Sequence, residues 1–186
     1  YNENLSTPGI TILDYESLNF SAALDINGEP IWFADRTNFP SPKIIVTEFL
    51  TNGNFMGYGA FGYEFNLDSE IIFQTPHSVH HSIIKSNNET YFSIGGNQEN
   101  HPCPEPQLCG VGDMIWKGDS FIEVDSQGEI LWEWDTFDYL SLDEYNSLWI
   151  GYPNLNEIDW THSNSVFFDE ASNIVYVSIR NLSRIT

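Results

Sequence analysis

Two histidines and one arginine draw notice in a chain that has few cations. Lys and Arg number 6 against 27 Asp and Glu, a formal charge of −21. His162 begins one strand-like run in "DWTHSNSVFFDEASNIVYVSIRNLS" (159–183), and Arg180 ends the next. An earlier segment repeats the layout: His81-Ser82 in "VHHSIIK" aligns with His162-Ser163, and Tyr91-Phe92-Ser93-Ile94-Gly95 aligns with Tyr176-Val177-Ser178-Ile179-Arg180. Imidazole and guanidinium groups gathered at one place suit an oxyanion such as sulfate or phosphate, through charge-assisted hydrogen bonds and the two-pronged guanidinium fork. A histidine can also move a proton near neutral pH.

Each residue has a plainer reading beside this one. His81 alone is a polar strand residue bonded to backbone, and Arg180 alone is a partner for one of many carboxylates. His77, His80 and His81 with nearby acids offer metal-ligand types, but alternation along an extended strand turns His80 away from the other two, so no metal is expected. Alternation also puts Ser178 and Arg180 on one face and Asn164 on the face of His162, which adds Asn164 to the candidates.

The elements that must position these residues are short strands. "LDINGEPIWFAD" from Leu24, "NLDSEIIFQT" from Asn66 and "EVDSQGEILWEWD" from Glu123 each set a polar turn before an apolar strand. Asn27-Gly28 and Gly128 are hairpin signals, and the acids of these turns read as turn chemistry, since no copy completes a calcium loop. Further strands follow in "PKIIVTEFL", "NFMGYGAF", "GYEFNL" and "EIIFQT", then "HHSIIK", "TYFSIGG", "SFIEVD" and "ILWEWD", with an insertion at 97–117. A loop over 137–158, with a short helix at "SLDEYNSL", precedes a last set. Four-stranded units of roughly 40 residues predict an all-β propeller, with a two-sheet sandwich as the competitor. The expected blades are a partial one at about 10–36, then 43–75 and 77–135, and a partial one at 160–186. With 186 residues, three to four blades fit. Further chain, or several chains, would then close the ring. The innermost strand of each blade lines the central channel, which brings equivalent histidines together.

Composition bounds the partners. Such acidity disfavours nucleic acid and anionic lipid, and no apolar run is long enough to span a bilayer. Cys103 and Cys109 in "CPEPQLC" read as a loop-closing disulfide better than as zinc ligands, which points to an oxidising compartment. No signal peptide is seen at the start, and Asn4, Asn19, Asn88 and Asn181 head glycosylation sequons. A secreted, extracellular or periplasmic protein is expected.

Asp159, Trp160, His162, Asn164, Ser165, Ser178 and Arg180 resemble the signature of the bacterial-type arylsulfate sulfotransferases. "HHSIIKSNNETYF" resembles that family's earlier histidine strand, and "FIEVDSQGEILWEWDTFDYL" the strands and loop between. The resemblance covers about 65–186; residues 1–64 match only in repeat style. It implies a six-bladed propeller, exported from the cytoplasm, that moves a sulfuryl group from an aryl sulfate to a phenol through a histidine intermediate. No cofactor is implied, and the nucleotide donor PAPS is not used. Carried over by position, His81, His162 and Arg180 match pocket residues that hold sulfuryl oxygens and assist the departing phenolate, with Asn164 beside them. The nucleophilic histidine of the family matches nothing in 1–186. A non-catalytic extracellular propeller, serving adhesion or assembly as a homo-oligomer or with partners, is the alternative.

Overall fold

The turns repeat one hydrogen-bonding scheme. Asp25 Oδ1 accepts the N–H groups of Asn27 and Glu29 at 2.8 and 2.9 Å, Asn66 Oδ1 those of Asp68 and Glu70 at 3.0 and 2.9 Å, and Asp125 Oδ1 those of Gln127 and Glu129, both at 2.9 Å. The residue three places on is left-handed each time: Gly28 at φ 83°, Ser69 at 61° and Gly128 at 84°. The Asp and Asn side chains therefore close hairpins, as Asx turns do.

Those hairpins build an all-β chain of antiparallel sheets. The computed structural model describes residues 9–15, 20–41, 43–151 and 156–186. The first sheet holds β1 (Thr11–Tyr15), β2 (Phe20–Leu24) and β3 (Pro30–Phe33) in chain order. The second is β4 (Ile45–Phe49), β5 (Phe55–Tyr58), β6 (Phe61–Phe65) and β7 (Ile71–Ser78), again in order. The third holds β8 (Ile83–Lys85), β9 (Tyr91–Pro102), β10 (Asp113–Val124) and β11 (Ile130–Asp135), with β12 (Glu157–Asp159) added parallel to β10. The fourth is β13 (Ser163–Asp169), β14 (Ile174–Ile179) and β15 (Arg184–Ile185). Strand number therefore varies from three to five, where the sequence led us to expect four.

Three apolar clusters join the sheets in series. Ala34, Phe39, Ile44, Phe55, Tyr63 and Phe65 lie between the first and second, and Met56, Phe73, Val79, Ile83, Tyr91 and Ile122 between the second and third. Phe92, Ile94, Phe121, Val166, Val177 and Ile179 join the third to the fourth. β4 packs beside β8, and β8 beside β13. Polar stitches follow the same path: Val46 N–H donates to Ser21 Oγ at 2.9 Å, and Thr47 Oγ1 donates to the Ile83 carbonyl at 3.0 Å.

The insertion at 97–117 takes the form of a hairpin: 97–102 and 113–117 prolong β9 and β10 into strands of 12 residues each. The one-turn helix α1 (Pro106–Cys109) caps it, and Cys103 and Cys109 are disulfide-bonded across the tip, with Cα atoms 6.1 Å apart. One expectation changes here: 141–148 does not form a helix. A one-turn helix α2 (Thr136–Tyr139) comes earlier, its N-terminus capped by Asp135, and a single 3-10 turn follows at Ser147–Trp149. The capping carboxylate, rather than the charge pattern of "SLDEYNSL", decides where the turn starts.

α2 sits directly on β10 at Gly118, where an added Cβ would meet Thr136 Oγ1 and Phe137 Cε2, each at 2.6 Å. Gly118→Ala should therefore destabilise the chain by about 1–3 kcal/mol through overpacking. Urea denaturation reads this, and an unchanged midpoint would mean α2 moves away without cost.

Candidate active site

His81 and His162 hold equivalent and unusual backbone positions. Both precede the first strand of a sheet, β8 and β13, and both are left-handed, at φ 60° and 47°. A residue with a Cβ is disfavoured there, and such strain gathers at functional sites. At His81 the chain folds through a tight three-residue turn, with Ser82 N–H donating to the His80 carbonyl at 2.7 Å. At His162 the following amide, Ser163 N–H, donates to Asp119 Oδ2 at 2.7 Å.

These turns bring the two rings to a centroid separation of 5.1 Å. Both line a cleft of about 480 Å³ together with His80, Asn97, Gln98, Lys117, Asp119 and Asp159. His162 Nδ1 lies 2.6 Å from Asp159 Oδ2, a pairing that leaves Nε2 for a ligand. His80 Nε2 lies 3.0 Å from Asp119 Oδ1, and its ring meets the edge of His81 at 5.3 Å. Lys117 Nζ is bonded to Glu157 at 2.7 Å.

His80 therefore does not point away from the cleft. Alternation fails because the chain between β7 and β8 is not extended, and the left-handed turn at His81 re-aims its neighbour. His77 goes elsewhere, its Nε2 2.8 Å from Ser93 Oγ. Arg180 is also placed apart from the cleft lining. It stands one residue beyond β14, in a turn, and its guanidinium stacks over the Trp149 ring at 4.5 Å. Asn164 is exposed and sits in a β-bulge, where the pairing jumps from Ser163 to Ser165, so it loses the face it would share with His162. Among the described residues no three His, Cys, Asp or Glu side chains gather as metal ligands.

The cleft is not simply cationic. Two of its three histidines are matched by aspartates, and partial desolvation holds the pKa of His81, though the residue is exposed, below the ordinary histidine range, helped by His80, His162 and Lys43 and opposed by Asp119. Asp119 was missed by sequence reasoning, although an aspartate inside the apolar strand "MIWKGDSFIEV" was the available signal. It is 4% exposed and accepts from Thr161 Oγ1 at 2.6 Å as well as from Ser163. Burial works against its ionisation, yet the bonds from His80, Ser163 and Thr161 prevail and lower its pKa.

Of the sequons, Asn88 is exposed in the β8–β9 turn, and Asn4 and Asn19 lie outside the described residues. Asn181 is 1% exposed, its side-chain amide donating to the Asp159 carbonyl, so it serves the fold under the site.

Two of these rings should make the fold sensitive to acid. Burial also lowers the His77 pKa. Just below the ordinary histidine pKa the unfolded chain binds protons at His77 and His81 that the folded chain does not, so stability falls as pH drops through that window. Urea midpoints should rise from about pH 5 to about pH 7. The rise should be shallower in His81→Asn, where asparagine tolerates the left-handed backbone. Equal slopes would remove His81 from this account.

Residues 3–186 match the family model described as Arylsulfotransferase (ASST), which extends the likeness over the first sheets, where sequence reasoning found repeat style alone. No curated protein matches the chain. With essentially its whole length matched, the chain belongs to the arylsulfotransferase family.

Proposed function

We propose that this cleft takes part in moving a sulfuryl group from an aryl sulfate to a phenol, without a nucleotide donor, through a histidine intermediate on another imidazole. Family membership supports the substrate class, aryl sulfate and phenol. The observation that carries the site is the pair of left-handed histidines, in equivalent positions, with rings 5.1 Å apart over one cleft.

His81, kept neutral by its surroundings, donates one ring N–H to a sulfuryl oxygen. With its Nδ1–H donated to Asp159, His162 faces the reacting oxygens through Nε2: protonated there, it gives that proton to the departing phenolate as the sulfuryl group passes to the other imidazole, and the neutral ring then takes the acceptor phenol's proton as that phenol receives the group. Fixed donors of this kind stabilise the charge that develops on the transferring group and its leaving oxygen. Arg180 joins only by exchanging its stacking on Trp149, worth about 0.5–1 kcal/mol at an exposed site, for a charge-assisted contact worth about 1.5–3 kcal/mol.

We also read the successive sheets as propeller blades, six when complete, with blades at about 10–36, 43–75, 77–135 and 160–186. Support comes from β4, β8 and β13 lying side by side, as innermost strands would. The Cys103–Cys109 bond and the exposed Asn88 sequon favour a secreted, glycosylated protein.

The test is transfer itself. Full-length protein incubated with a chromogenic aryl sulfate and a second phenol should release the first phenol and sulfate the second in equal amounts. Release without acceptor sulfation would make it a hydrolase. Neither would favour the adhesion or assembly scaffold.

A further inference from the structure

We infer that Asp119 is the positioning residue that couples the two histidine turns into one site. It stands in the middle of β10, opposite Gly96 of β9, and is buried between the segments that carry His81 and His162. One oxygen, Oδ2, takes both partners that flank His162: Thr161 Oγ1 on one side at 2.6 Å and Ser163 N–H on the other at 2.7 Å. The other, Oδ1, takes His80 Nε2 at 3.0 Å, next to His81.

The division of labour has a physical reason. The turn at His81 is closed by its own backbone bond from Ser82 to His80, whereas the amide after His162 is committed to Asp119. With those two bonds gone, a left-handed His162 has less to hold it against the ordinary backbone region. Asp119 itself is fixed from behind, its N–H donating to Thr136 Oγ1 of α2 at 3.0 Å. Three parts of the chain thus meet at one residue, 80–82 and 161–163 at its carboxylate and 136 at its backbone N–H. A buried carboxylate with three donors is stable where it stands, while a buried one without them would not be.

This role rests on the sulfuryl-transfer reading, but its test has a readout of its own. In full-length protein, Asp119→Asn keeps the shape and removes the charge. Transfer should fall about 100-fold in kcat with KM for the aryl sulfate little changed, since misplacement by about 1 Å costs that much. The ring titration of His81, followed by proton NMR, should move to lower pH. The titratable groups facing that ring are His80, His162, Tyr58, Lys43 and Asp119, and of those whose charge acts on it only Asp119 favours its protonated form. Thr161→Val removes one flanking bond and no charge. It should lower kcat while leaving the His81 titration in place, and it serves as well if the asparagine variant folds poorly. Wild-type kcat in both variants with an unmoved His81 titration would overturn the inference. A wild type that transfers no sulfuryl group would defeat the functional reading alone, and the His81 titration would still decide this one.

Discussion

His162→Ala is expected to reduce sulfuryl transfer by about 10²–10³-fold in kcat, and His81→Ala by a similar factor. Each removes a donor aimed at developing charge, and such donors are worth about 2.7–4 kcal/mol of transition-state stabilisation. The two losses should not add. The rings lie 5.1 Å apart and share one cleft, so a double variant should fall little below the worse single one. His162→Ala also frees Asp159, whose Oδ2 loses its imidazole partner. Asp159→Asn should therefore weaken transfer by altering which His162 nitrogen carries the proton. Steady-state kinetics with an aryl sulfate and a phenol give all four numbers. A His162→Ala enzyme within threefold of wild type would remove the histidine pair from the mechanism.

The second large effect is on stability, and it lies between the second and third sheets. Glu64 is 1% exposed and collects four donors: Asn52 Nδ2 at 3.2 Å, Asn54 Nδ2 at 2.6 Å, Tyr91 Oη at 2.7 Å and Lys85 Nζ at 3.0 Å. Burial opposes its charge, but these bonds outweigh burial and lower its pKa. Lys85 is held charged well above the usual lysine range against its own burial, through Glu89 and Glu64. Burial, with Glu64 second, raises Tyr91. Glu64→Ala should cost about 3–5 kcal/mol, because Lys85 and Tyr91 lose a shared buried acceptor. Glu64→Gln should cost less, since an amide oxygen still accepts. Denaturant midpoints at neutral pH measure both, and a Glu64→Ala loss below about 1 kcal/mol would show that water replaces the carboxylate without penalty.

Much of this was legible beforehand. Turn chemistry at Asp25, Asn66 and Asp125 announced the hairpins, because an Asx side chain closing a turn is a local event. The match of His81-Ser82 to His162-Ser163 announced the pairing, because repeated units put equivalent residues in equivalent places. Alternation misled wherever the chain left the strand: at His80, behind a left-handed residue; at Asn164, in a bulge; and at Arg180, past the end of β14. An aspartate inside an apolar strand marked the position of Asp119, but its role lies in side-chain contacts to residues more than 35 positions away, which no spacing encodes.

A crystal structure of the protein with an aryl sulfate bound would test the central claim most directly. The expected result is a sulfuryl oxygen within hydrogen-bonding distance of His81 and the bridging phenolic oxygen at His162 Nε2, with Asp159 still on His162 Nδ1. A sulfuryl group bound elsewhere, with both rings free of contact, would contradict it.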